Sequence, residues 1–241
     1  LLLKTRRDGY DGYGNTLVQE PDDAAKACSA LGWPARGLLA EAFVTFKREL
    51  AVIIVRGQDG EEVVYPIVET QQDPERHICR VVLAPAPILG EIAARTSELA
   101  AKAVRAVGGV GTFGVEVFQL ADGSVVVNEL APRPHNSGHY SIEACVTSQF
   151  ANHMRAVLGL PLGDPAMRAP AAVMVNLLGS GGALPGRVQL AAALAVPGTH
   201  LHLYGKSESR PGRKMGHVTA TGDNLEDALA RASLSASRIR T

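Results

Sequence analysis

The chain holds 241 residues, 46% of them apolar, 20% charged and only 5% aromatic, and its 24 basic residues balance 24 acidic ones. That composition excludes a disordered or coiled-coil chain, and charge neutrality argues against generic binding to nucleic acid or to an anionic membrane. No run approaches the roughly 18 consecutive apolar residues of a membrane span, the start lacks the apolar core of a signal peptide, and Cys28, Cys79 and Cys145 fit neither a disulfide framework nor a zinc pattern, so a reducing, cytoplasmic setting is expected.

Residues 1–5 read as a strand already under way, with no initiating methionine ahead of it, and an N-terminal truncation is expected. A glycine-rich loop follows over 8–15, then a returning strand at 16–18 and a short helix over 22–31 capped by Asp22 or Asp23. Strands are expected at 37–43 and 48–56, and a turn at Gln58-Asp59-Gly60 leads into another at 62–68, which makes this part antiparallel. The helical period over 91–107 places Ile92, Leu99, Ala103 and Val107 on one face. Residues 111–131 form a hairpin, and 141–158 a second helix with Ile142, Cys145, Val146, Phe150 and Val157 on its buried side. Prolines break the pattern over 161–170; strands at 171–178, 200–204 and 214–221 then precede a last helix from Leu225, capped by Asn224. The order gives an α+β class with antiparallel sheets and flanking helices.

Four features carry chemistry. Gly9, Gly12 and Gly14 lie in the loop GYDGYGN just after Lys4; such density frees backbone N–H groups to converge on phosphate oxygens, although an ordinary hairpin turn reads the same way. In VEVFQLADGSVVVNEL, a two-residue Asp122-Gly123 turn sets Phe118 opposite Val127 and Glu116 opposite Glu129. The two glutamates then stand with Cβ atoms about 4.5 to 5.5 Å apart, so one carboxyl stays protonated or a divalent cation sits between them, with Asn128 as a neutral oxygen donor. A one-residue slip would instead leave two solvated glutamates on an edge hairpin. Directly after, APRPHNSGHY crowds Arg133, His135, Asn136, Ser137 and His139 into a proline-stiffened bend, a good anion site or a helix-entry loop. Last, the hairpin 200–217 carries Lys206, Arg210, Arg213 and Lys214 at its tip, a local phosphate site or a solvated basic turn.

Taken in order, KTRRDGYDGYGN, EAFVTFKRELAVIIVR, YPIVET, GTFGVEVF, VNELAPRPHNSGHYSIEACVTSQFANHMRAVLGLPLG and HLYGKSESRPGRKMGH resemble the 5-(carboxyamino)imidazole ribonucleotide synthase family of ATP-grasp ligases, which serves purine biosynthesis. The resemblance runs through nearly the whole chain. It implies an ATP-grasp domain over 1–164, lacking its front part, and a small C-terminal β-rich subdomain over 165–241. It further implies ATP and Mg2+ as cofactors, bicarbonate and 5-aminoimidazole ribonucleotide as substrates, and a homodimer in the cytoplasm.

By the same resemblance, Lys4 and the loop residues Gly9, Tyr10, Asp11, Gly12, Tyr13, Gly14 and Asn15 hold ATP phosphates, Glu41 and Val44 bound the adenine hinge, and Glu49 binds the ribose. Glu116 and Glu129 match the metal-binding glutamates, with Asn128 beside them. Tyr10, Asp11, Arg133, His135 and Asn136 match the bicarbonate and nucleotide pocket, Asp11 being placed to orient or deprotonate the amine. Lys206 and Arg213 match the grip on the ribonucleotide phosphate. The chain departs from the family at Asp8, where a glycine is usual, at Tyr13, where arginine is frequent, and at Gln72, where a histidine lines the ATP site. Two rivals stay open: a sister ATP-grasp ligase of the glycinamide ribonucleotide transformylase or biotin carboxylase type, and a non-catalytic interaction fragment.

Overall fold

The computed structural model of the chain describes residues 1–7, 9, 14–74 and 78–240. The fold divides into two compact units, residues 1–45 with 72–78, and residues 46–71 with 79–241.

In the first unit, β1 (Leu2–Thr5), β2 (Asn15–Leu17), helix α1 (Ala24–Ala30) and β3 (Leu38–Glu41) follow in order, and the antiparallel sheet runs β2-β1-β3. Leu3, Val18, Ala27 and Leu31 make its small core. The expected helix over 22–31 starts later than read: Pro21–Asp23 form a 3-10 turn, and neither Asp22 nor Asp23 caps the helix through its side chain.

The second unit is built on β4 (Arg48–Arg56), β5 (Glu62–Val64), β6 (Val68–Gln72), β7 (Cys79–Ala84), helix α2 (Gly90–Val107), β8 (Gly111–Gln119) and β9 (Val125–Ala131). Helices α3 (Ser141–Ala144) and α4 (Gln149–Val157), strand β10 (Ala171–Leu178), helix α5 (Arg187–Leu194), strands β11 (Thr199–Leu203) and β12 (Lys214–Gly222) and helix α6 (Leu225–Ser237) complete it. One sheet takes the order β11-β12-β10-β7-β6-β4-β8-β9, with β5 on β4. Strands on both sides of position 164 therefore share hydrogen bonds, Val173 lying opposite Leu83.

The period of two along β4 sorts its apolar side chains onto two faces. Ala51, Ile53 and Val55 meet Tyr140, Ala144 and Ala156 of the α3–α4 side, while Leu50, Val52 and Ile54 meet Ile92, Ala100 and Val104 of α2. Along β10 the same alternation sends Ala172 and Met174 into the first cluster and Val173, Val175 and Leu177 onto Ala228 and Ala232 of α6. Both faces of the central strands are thus covered, which explains why residues 48–56 and 171–178 read as continuous apolar runs.

Several expectations are corrected. The single strand over 62–68 is two strands, because Pro66, which has no N–H for a ladder, separates β5 from β6. The face of α2 is rotated: Ile92, Thr96, Ala100, Ala101 and Val104 are buried, and Val107 is exposed. The helix over 141–158 is broken between α3 and α4, since Val146 N–H bonds to Ala166 O, Thr147 N–H to Asp164 O, and Tyr65 Oη donates to Thr147 O. Ser148 then starts α4 as its N-cap, accepting from Ala151 N–H. As a result Cys145 is buried as read, whereas Ile142, Val146, Phe150 and Val157 are exposed. Strand β7 and helix α5 were not expected, and the Asn224 cap of α6 is present, its side chain accepting from Asp227 N–H.

Candidate active site

The site begins with the β8–β9 ladder. Glu116 faces Glu129, as the sequence requires, but by a different route. The turn is a three-residue loop, not two: Leu120 N–H bonds to Ser124 O, Gly123 takes φ +82°, and Phe118 consequently faces Val126 and not Val127. A bulge after Val127 adds one unpaired residue, Asn128, and restores the register for Glu129. Two irregularities of one residue each cancel.

The bulged Asn128 Nδ2 donates to Glu116 Oε2 at 3.4 Å. Burial, followed by the charges of Glu129 and Glu49, pushes the Glu116 carboxyl up to about 7, against the opposing pull of Lys214 and Asn128. Three carboxylates gathered around a half-buried strand position make a local negative field that a cation relieves. Among the described residues no cluster of three His, Cys, Asp or Glu side chains is arranged to hold a metal alone. Two carboxylates suit Mg2+ that takes its remaining oxygens from phosphates and water, so the donor set fits that ion.

The bend after β9 packs against this pair. His135 Nε2 lies 3.6 Å from Glu116 Oε1, and its Nδ1 is 2.9 Å from Ser137 Oγ. A side chain on Gly114 would place its Cβ 2.4 Å from His135 Cβ, so β8 needs glycine here for the imidazole to lie against the strand. Arg133 is exposed, its Nη1 donating to Pro134 O at 3.2 Å. Asn136 exchanges two hydrogen bonds with Asn176 of β10, at 2.9 and 2.7 Å, and Asn176 also donates to Cys79 O. Asn136 therefore ties the bend to the sheet, while His135 reaches Glu116.

Beside the bend, His139, His202 and His217 form an imidazole stack. His202 lies 4.5 Å from His217 between ring centroids, and His139 5.2 Å from His217. Burial, with the neighbouring histidines adding to it, lowers His217 to about 3 and His139 to about 4, so both are neutral. Tyr204 Oη is 2.8 Å from His217 Nδ1, and Glu143 Oε1 is 2.6 Å from His202 Nε2. At the tip of the β11–β12 hairpin, Lys206 Nζ donates to Lys214 O at 2.6 Å and Arg213 Nη1 to Glu208 O at 3.0 Å. Arg210 pairs with Glu208. Lys214, read only as part of a basic tip, opens β12 and acts on both Glu116 and His139.

The other sequence-assigned nucleotide residues lie in the first unit, save Glu49, which pairs with Phe118 across β4–β8. Lys4 forms an ion pair with Glu41 at 2.6 Å, joining two of them across the β1–β3 sheet. Gly14 takes φ +83°, and its carbonyl accepts from Thr5 N–H at 2.7 Å; Asn15 and Gly9 are exposed, Val44 is half-buried and Gln72 ends β6. Tyr10, Asp11, Gly12 and Tyr13 fall outside the described residues.

The fold and the paired carboxylates define a class: the chain belongs to the ATP-grasp family, whose domain matches residues 1–150. The phosphoribosylaminoimidazole carboxylase C-terminal domain matches residues 172–231. The chain is 46% identical over 237 residues to a phosphoribosylaminoimidazole carboxylase of Schizosaccharomyces pombe, covering 95% of this chain and 42% of that protein. Among solved structures it is similar to the carboxyaminoimidazole ribonucleotide synthase of Aspergillus clavatus complexed with ATP, with a TM-score of 0.86, 44% identity, and coverage of 99% of this chain and 63% of that one. The N5-carboxyaminoimidazole synthase of the same organism in complex with ADP and 5-aminoimidazole ribonucleotide gives a TM-score of 0.84 at 42% identity, covering 98% and 61%. The chain thus spans between about two fifths and two thirds of the length of these relatives.

Proposed function

We propose that this chain carries the active site of an ATP-dependent carbon–nitrogen ligase that carboxylates the exocyclic amine of 5-aminoimidazole ribonucleotide with bicarbonate. The observation that carries the reading is the Glu116–Glu129 pair with His135 3.6 Å from Glu116, a cation site and a donor-rich bend on adjoining strand positions.

In this reaction a bicarbonate oxygen bonds to the γ-phosphorus of ATP while the bond to ADP breaks, giving carboxyphosphate. The substrate amine then bonds to the carboxyl carbon, the bond to phosphate breaks, and the proton lost from the nitrogen is taken up by the departing phosphate. Glu116 and Glu129 would hold Mg2+, which would supply positive charge to the phosphate oxygens. Arg133 presents its guanidinium toward anionic reactants, and His135, anchored beside Glu116, supplies a ring N–H to the carboxyl oxygens. Lys206 and Arg213 hold the ribonucleotide phosphate, and Asp11 orients the amine. Lys4, Glu41, Val44 and Glu49 bind the nucleoside end of ATP and its phosphates. Among the described residues no helix is long and apolar enough to cross a membrane, and the family resemblance supports a cytoplasmic homodimer.

The test is made on the full-length protein. ATP consumption should require bicarbonate and rise with 5-aminoimidazole ribonucleotide, and Lys206→Ala or Arg213→Ala should mainly raise the KM for that nucleotide. Stimulation by glycinamide ribonucleotide and formate instead would replace this reading with the sister ligase.

A further inference from the structure

Gln149 opens α4, yet it is fully buried. A primary amide in such a place is costly unless each of its polar atoms is bonded. Here all are used. Oε1 accepts from His135 N–H at 3.0 Å; Nε2 donates to His135 O at 2.8 Å and lies 2.9 Å from His139 Nδ1. The planar amide thus engages both backbone groups of one residue, as a strand neighbour would.

Gln149 is itself fixed from two further sides. Its backbone N–H donates to Ser141 Oγ at 3.0 Å, and its carbonyl accepts from Thr112 Oγ1 of β8 at 3.1 Å. Gly138 leaves room for the arrangement, since a Cβ there would lie 2.7 Å from Gln149 Cδ and 2.6 Å from Ile53 Cγ1. The contact to His139 is a hydrogen bond in the tautomer that carries its proton on Nε2, which a neutral ring allows.

We propose that Gln149 is a positioning residue for the carboxylation site: its side-chain amide clamps the backbone of His135 against β8 and so sets the imidazole beside Glu116. This rests on the function proposed above for the Glu116–His135 site. An apolar side chain of like volume would fill the same space, so the amide itself is what the role needs. Gln149 bonds to His135, His139, Ser141 and Thr112, none of which is assigned to ATP.

The experiment compares the full-length protein with Gln149→Met and Gln149→Glu, which keep the volume but remove all the amide bonds or its two donors. In folded preparations, checked by circular dichroism, kcat for bicarbonate-dependent ATP consumption should fall at least tenfold while the KM for ATP stays within twofold. Histidine ring resonances, assigned by His135→Asn, should show the His135 signal shifted or broadened in both variants. Unchanged kcat, a parallel change in KM for ATP, or failure of both variants to fold would overturn the positioning role. If the unmodified protein shows no bicarbonate-dependent turnover, the functional reading fails, and the clamp is then judged by the His135 resonance alone: an unshifted signal in Gln149→Met overturns it.

Discussion

The β8–β9 and β11–β12 hairpins are both antiparallel and both carry charge, but they place it differently. In the first, Glu116 and Glu129 sit on the strands, where the ladder holds them side by side and neither can turn far away. In the second, most of the charge lies on the connecting tip, where Arg210 takes Glu208 at 2.7 Å and Lys206 and Arg213 bond to backbone carbonyls. Loop charge relaxes onto its own neighbours. Ladder-fixed charge stays in place, and, after burial, the charges of Glu129 and Glu49 help to raise the Glu116 carboxyl to about 7. Lys214 follows the same rule from the other side, since it is the strand residue of the basic hairpin that acts on Glu116.

The largest expected effect breaks the strand pair. Glu116→Gln or Glu129→Gln should weaken Mg2+-dependent nucleotide binding by about a hundredfold, near 2.7 kcal/mol, with little change in nucleotide binding when the metal is chelated. Titration calorimetry with and without Mg2+ reads this directly, and equal losses under both conditions would remove the cation from the account.

The second effect concerns stability without metal. A carboxyl raised from 4.5 to about 7 on folding holds a proton that the unfolded chain has released, so stability falls as pH rises through that interval. Glu116→Gln abolishes this loss. The variant should gain about 1–2 kcal/mol over the unmodified protein at pH 8, allowing for screening at a partly exposed side chain, and the gain should vanish toward pH 4.5. Urea unfolding at several pH values measures the difference.

On β12, buried His217 behaves oppositely. Its pKa is lowered from 6.5 to about 3, so the unfolded chain takes up a proton that the folded one refuses as pH falls below about 6.5. The stability difference between the unmodified protein and His217→Asn should therefore shrink, by on the order of 1 kcal/mol, between pH 7 and pH 5. A difference constant with pH would mean that His217 takes up its proton as readily in the folded chain as in the unfolded one.

The smallest effect belongs to the tip. Arg210→Ala should change stability by no more than about 0.5 kcal/mol, because its ion pair with Glu208 is exposed on both sides. A larger loss, seen in the same urea titrations, would show that tip charge is held as firmly as strand charge.

Continuous apolar runs made β4 and β10 legible in the sequence, and the register counted from Asp122-Gly123 made the Glu116–Glu129 pairing legible. The pairing was reached through the wrong turn, and only the cancelling bulge at Asn128 kept it right. The α3–α4 break was hidden because residues 141–158 keep a helical pattern, while the forces that open it, from Tyr65, Asp164 and Ala166, come from elsewhere in the chain. Ser148, a residue type favoured at N-caps, is the local sign of a second helix start. Reading through that break also concealed Gln149, whose burial follows from the restart. The long-range hydrogen bonds of Asn136 to Asn176 could not be seen from spacing at all.

The place of β10 between β7 and β12 has a consequence during synthesis. Residues 79–84 of β7 leave the ribosome well before their partners Val173 and Met174, and at about 5–20 residues per second that interval lasts on the order of 5–20 s. Throughout it, β7 shows an open edge, and Val82 and Ala84 lack the Met174 side chain that shares their cluster. Such an edge is a template for pairing with another nascent chain. Ribosomes that stall or release before residue 178 would therefore yield an aggregating product, whereas those that pass it close the sheet within one chain.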